Sequence, residues 1–203
     1  MTNKIAELIL IKIKKARRGT LFFGDDFISK GNSEAVRKAL QRLVKSGELV
    51  RIATGIYVRP EIDPVIGQVT PGIEAIAKAI ARRDKARIIP TGVYALNRLG
   101  LSTQVSMNLV YLTDGAARKV KVGNRTITFK KATPKNVSAI GAISSLVIQA
   151  LKTIGKDKAT PYETEKIQLL LKKEKITHLQ HDIRLAPEWI RQIMQQVIND
   201  DKE

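Results

Sequence analysis

The change of hydrophobic period at Gly47 constrains this chain most. From Ser33 to Ser46, Val36, Ala39, Leu40, Leu43 and Val44 recur at helical spacing, and Asn32-Ser33-Glu34 supplies an N-cap and a first-turn acid. From Glu48 to Arg59 the pattern becomes strand (Leu49-Val50-Arg51-Ile52), a turn with glycine (Ala53-Thr54-Gly55) and strand (Ile56-Tyr57-Val58-Arg59). A helix is thus followed directly by a β-hairpin. Upstream, Ile5, Leu8, Ile9 and Ile13 predict an amphipathic helix over 3–17, stopped at Gly19. Asp25-Asp26-Phe27-Ile28 places carboxylates at the start of a brief second helix ending near Gly31. Helix, short helix, helix, hairpin is the order of a winged helix-turn-helix, whose third helix enters the DNA major groove while its hairpin touches backbone or minor groove.

With the apolar stripe of the third helix turned inward, Ser33, Glu34, Arg37, Lys38, Gln41, Arg42 and Lys45 are left to solvent. Arg37, Gln41 and Arg42 have the fork geometry to read guanine and adenine edges, and Glu34 can accept from cytosine N4 or simply cap the helix. Lys38, Lys45, Arg51 and Arg59 suit phosphates, and the Thr54-Gly55 tip suits a close approach of backbone. An ordinary solvated helix face is the competing reading. Four cations against one acid, with two hairpin arginines beside them, favour DNA.

Charge supports a dedicated footprint. The 203 residues carry a net charge of +17. Residues 1–60 hold +8 of it and residues 114–135 hold +6, whereas 136–203 hold only +1 and make a poor polyanion site. In the second basic region, Arg118–Val122 and Arg125–Lys130 flank Gly123-Asn124 and alternate basic with apolar residues, which predicts a second hairpin. Arg118, Lys119, Lys121 and Arg125 form its expected contact with nucleic acid. The absence of cysteine excludes disulfides and thiolate metal sites and fits a reducing compartment. The stretch 5–13 is broken by Glu7 and Lys12 and reads as neither signal peptide nor membrane span, so the expected location is cytoplasmic.

Pro60, Pro64, Gly67 and Pro71-Gly72 predict a linker over 61–71. Beyond it the patterns predict helices over 73–83 and from Thr91-Gly92 to Leu99, strands at 87–89 and 107–112, and long helical stretches at 138–154, 161–173 and 187–199. The expected fold class is therefore α+β: an N-terminal winged helix-turn-helix (1–60), a linker (61–71) and a second α+β domain ending in helices (72–203).

Catalytic readings find little material. His178 and His181 are the only histidines, lack a metalloprotease carboxylate and read as surface residues, so no metal and no cofactor is expected. Asp114 precedes a hairpin ending in Lys130 and Lys131, a faint nuclease layout, but Thr128 and Phe129 stand where its second acid belongs. Asp114-Gly115 reads as a turn. The glycines at 92, 100, 115 and 123 are too dispersed for a phosphate loop, and no enzyme is expected. Trp189, after Pro187-Glu188, reads as the buried anchor of the last helix ahead of a partner hot spot. Tyr57 and Tyr94 read as packing residues.

The run Ser33-Glu34-Ala35-Val36-Arg37-Lys38-Ala39-Leu40-Gln41-Arg42-Leu43, with Gly47-Glu48-Leu49-Val50-Arg51-Ile52 and Gly55-Ile56-Tyr57-Val58, resembles the N-terminal winged helix of AbiEi-type antitoxins. The block Pro90-Thr91-Gly92-Val93-Tyr94-Ala95-Leu96-Asn97-Arg98-Leu99-Gly100-Leu101, with Tyr111-Leu112-Thr113-Asp114-Gly115, resembles the part that follows it in AbiEi-like proteins. The likeness covers about residues 1–135; the chain is shorter than the better-known members. It implies a type IV antitoxin that binds double-stranded DNA at its own promoter, represses its operon and counteracts a nucleotidyltransferase-like toxin without a stable complex. Assembly into an oligomer on DNA is compatible with it. The alternative is an RNA- or toxin-directed binding module with the 114–135 hairpin as its main contact.

Overall fold

The computed structural model describes residues 2–104 and 106–200. The fold class is α+β. The chain divides into two compact units, one of residues up to 80 with 120–124, the other of 81–119 with the remainder.

In the first unit, α1 (Thr2–Lys15), a 3-10 helix (Gly24–Lys30) and α2 (Ser33–Lys45) surround a core of Ile9, Ile13, Phe22, Phe27, Leu40, Leu43 and their neighbours. The Asn32 side chain accepts from Ala35 N at 2.8 Å and starts α2 where expected. The Asp26 carboxylate accepts from Phe23 N at 2.7 Å and opens the 3-10 helix. Leu21-Phe22-Phe23 forms a strand, β1, which pairs antiparallel with β3 (Ile56–Val58). With β2 (Val50–Ala53) this makes a three-stranded sheet of order β1-β3-β2. Only two residues, Thr54 and Gly55, join β2 to β3, and Gly55 takes a left-handed φ of 72°, a conformation that tolerates no Cβ without strain.

The expected linker differs from what forms. Residues 61–69 fold into an antiparallel hairpin of β4 (Glu61–Asp63) and β5 (Gly67–Val69). Asp63 makes its turn by accepting from Val65 N and Ile66 N at 2.8 and 3.0 Å, bonds that hold its carboxyl below the ordinary value. The compact division then falls after residue 80, within helix α3 (Ile73–Arg83), and not at 71.

In the second unit, β6 (Ile88–Pro90), β7 (Asn108–Thr113) and β9 (Arg125–Lys131) belong to a four-stranded sheet of order β6-β7-β9-β8, whose edge strand β8 (Arg118–Val122) has its residues 120–122 grouped with the first unit. β7 and β9 run parallel, with β8 at the edge. Helix α4 (Val93–Arg98) joins β6 to β7, and α5 (Ala142–Ile154), α6 (Pro161–Leu171), α7 (Ile176–Ile183) and α8 (Glu188–Asp200) follow. Thr160 and Glu163 cap α6 reciprocally. The N-terminus of α5 is closed by carboxylates from elsewhere: Asp182 accepts from Ile140 N and Gly141 N, and Glu174 from Ile143 N. Leu99, Val147, Leu151, Ile167, Leu179 and Ile190 are among the side chains filling the core between these helices, and Trp189 packs half-buried against it. No helix among the described residues is long and apolar enough to cross a membrane.

Candidate nucleic-acid interface

Helix α2 turns Val36, Ala39, Leu40 and Leu43 into the core and leaves Ser33, Glu34, Arg37, Lys38, Gln41, Arg42 and Lys45 exposed. The residues do not all converge. Ser33, Arg37 and Gln41 face Arg51 of β2 and Thr54 of the β2–β3 turn across a groove of about 410 Å³, floored by Val36, Leu40 and Tyr57. Glu34 pairs with Lys38 at 2.8 Å along the same helix, and neither lines the groove; nor do Arg42 and Lys45.

Asp25 and Ile28 of the 3-10 helix also line it. The sequence reading placed Asp25 only as a helix-start acid. Lining the same groove as Arg37 and Arg51, it adds a carboxylate to the wall, an acceptor that can meet the N4 of cytosine or the N6 of adenine. The turn is anchored as well. Gly24 N donates to Gly55 O at 3.0 Å, so the Thr54-Gly55 tip is tied back to the 3-10 helix while Thr54 itself stays exposed.

Arg59 is engaged within the protein. Its Nη1 donates to Lys14 O at 2.9 Å and to Ala16 O, satisfying carbonyls at the C-terminal end of α1. Its main chain exchanges further bonds with Gly19 and Thr20. This edge of the guanidinium thereby closes α1.

The second basic hairpin forms as β8 and β9, and its four expected residues divide. Lys119 and Lys121 are exposed on one face of β8. Arg118, on the other face, pairs with Asp84 and lies 5.6 Å above the Phe129 ring; burial lowers its pKa. Arg125 is half-buried and donates to Ser106 O at 3.4 Å. The two arginines are thus engaged within the protein. Strand alternation carries this distinction, since Arg118 shares a face with Val120 and Val122. Lys130 and Lys131, left out of the expected contact, are exposed at the end of β9.

Asp114 accepts from Arg87 N and from Arg87 Nε, each at 2.8 Å, and the guanidinium holds its carboxyl below the ordinary value. His178 Nδ1 stands 3.6 Å from Glu174 Oε1, and His181 Nδ1 stands 2.8 Å from Asp182 Oδ1. Among the described residues no three His, Asp or Glu side chains gather as a metal site.

The profile of a family described as of unknown function, DUF6088, matches residues 8–179. The chain belongs to the DUF6088 family. The part of this DUF6088 chain that matches contains the whole α2 groove and the β8–β9 hairpin, and it stops before α8. A crystal structure of the RV2827C protein from Mycobacterium tuberculosis is similar over 96% of this chain and 80% of that one, at 14% identity and a TM-score of 0.45. No curated protein matches the DUF6088 chain.

Proposed function

We propose that this protein binds double-stranded DNA through α2 and the β2–β3 turn and represses its own operon. The observation that carries the reading is the convergence of Ser33, Arg37, Gln41, Arg51 and Thr54 on one groove. Two arginines and a glutamine there supply bidentate partners for guanine and adenine edges, while Lys38, Arg42 and Lys45 flank it from the same helix as candidates for backbone phosphates. The net charge of +8 in residues 1–60 supplies the long-range attraction. The antitoxin part of the proposal rests on the AbiEi-like blocks at 33–58 and 90–115: the protein counteracts a nucleotidyltransferase-like toxin encoded beside it, in the cytoplasm and without catalysis.

A gel shift on the DNA upstream of its own gene tests the DNA reading. Arg37→Ala lowers affinity for the true site by about 1–3 kcal/mol and relaxes its sequence preference, whereas Lys45→Ala weakens every duplex alike. Equal losses on specific and random duplexes for both variants would overturn the assignment of Arg37 to base reading.

A further inference from the structure

Helices α7 and α8 are joined by four residues, Arg184–Pro187, and the joint is tight. Leu185 N donates to Asp182 O at 2.9 Å, Ala186 N to Ile183 O at 3.2 Å, and Arg191 N to Pro187 O at 2.9 Å, so the chain leaves one helix and enters the next without a free loop. Ala186, small and 4% exposed, sits at the joint, and Leu179 and Ile183 of α7 share a core with Ile190, Met194 and Val197 of α8. Two short helices locked by a four-residue turn are the framework of a helix-turn-helix, with α8 in the position of the recognition helix.

What α8 presents to solvent fits that position. Gln180 of α7 and Arg184 of the joint face Arg191, Gln195 and Asn199 of α8 across an open groove of about 690 Å³. Gln192 adds an exposed amide one residue beyond Arg191. Four of the nine glutamines of the chain lie within 176–200, while lysine, the commoner solvating residue elsewhere in the sequence, is absent from that stretch. Amides and guanidiniums are the side chains that bind adenine and guanine edges in pairs of hydrogen bonds; a merely solvated helix has no need of that selection. Lys172, Lys173 and Lys175 are exposed just ahead of α7, where the first helix of such a pair meets phosphates.

We infer that α7 and α8 form a second reader of double-stranded DNA, independent of the α2 groove, with Gln192, Gln195 and Asn199 addressing base edges and the 172–175 lysines the backbone. The near-neutral charge of residues 136–203 gives this element little non-specific affinity; its contribution is sequence preference, with a shallow salt dependence. The chain then selects a bipartite site, and the α2 module raises the effective concentration of the second.

The test is selection of duplexes from a random library by the full-length protein, by an Arg37→Ala/Gln41→Ala variant and by a Gln192→Ala/Gln195→Ala variant. Asn199→Ala serves as a second α8 variant, and thermal melts confirm that all are folded. Two enriched sequence blocks are expected: the α8 variants weaken binding to their block about tenfold and leave the other, whereas the α2 double variant loses its own block and lowers enrichment of the α8 block without changing its sequence. A single block lost only with the α2 variant overturns this inference and leaves the α2 reading standing. A block lost only with the α8 variants supports it and overturns the α2 reading. No enriched duplex overturns both. Dependence on Gln192 and Gln195 confined to a parallel selection from single-stranded RNA also overturns it.

Discussion

Arg59 and Asp114 show how single residues acquire roles that composition does not assign. Arg59 counts as one more cation of a basic segment, yet its guanidinium bridges Lys14 O and Ala16 O. Arg59→Ala leaves those carbonyls short of a charged donor and lowers stability by about 1–2 kcal/mol, read as an earlier chemical-denaturation midpoint. The slope of log affinity against log salt is then unchanged; a fall of about 0.9 would restore Arg59 to the phosphate contacts. Asp114 carries a pH signature. Because Arg87 holds its folded pKa below the ordinary 3.8, its contribution is present above that value and disappears as pH falls through the lower folded one. Asp114→Asn lowers stability near neutral pH by about 0.5–1 kcal/mol, the pair being partly in water, and melting curves of variant and parent converge toward the acid limit. A constant gap down to the lowest pH would refute the linkage.

At the scale of elements, the β8–β9 hairpin separates charge left exposed from charge engaged within the protein. Lys119→Gln with Lys121→Gln reduces the salt slope of DNA binding by about 2, whereas Arg118→Gln leaves the slope alone and destabilises the fold through Asp84 and Phe129. An unchanged slope for the lysine pair assigns this face to a partner other than DNA. Strong local signals made α2, the β2–β3 hairpin, α3 and β6–β9 legible in the sequence: caps, a two-residue turn, clean periods. Three stretches were not legible. Leu21–Phe23 is a strand only because β3 offers it a partner 35 residues away, which no local window contains. Residues 61–69 read as a linker because Pro64 and Gly67 mask a turn made by the Asp63 side chain. Helix α7 has eight residues and no side-chain cap of its own; its Asp182 is turned inward to cap α5, so its amphipathic pattern is broken by a buried carboxylate. The site followed the same rule. The α2 face was readable from its period, but which of its residues meet Arg51 and Thr54 depends on the sheet.

At the scale of the molecule, operator binding and toxin neutralisation are two proposed activities of one chain, and full-length variants can separate them. Arg37→Ala with Arg51→Ala removes two cations from the α2 groove, both exposed, so the fold is retained. Losing two charge-assisted contacts at the centre of the interface reduces operator affinity by about a hundredfold or more. In cells carrying a reporter fused to the upstream DNA, repression is then lost. If a nucleotidyltransferase-like toxin is encoded beside the gene, protection by the same variant, expressed from an unrelated promoter, persists at the parental level. Loss of protection together with repression would show that neutralisation needs the DNA-binding groove and that the two activities are one. The promoter swap matters to the logic: with expression uncoupled from autoregulation, a change in protection reports on the protein surface and not on the amount of protein made.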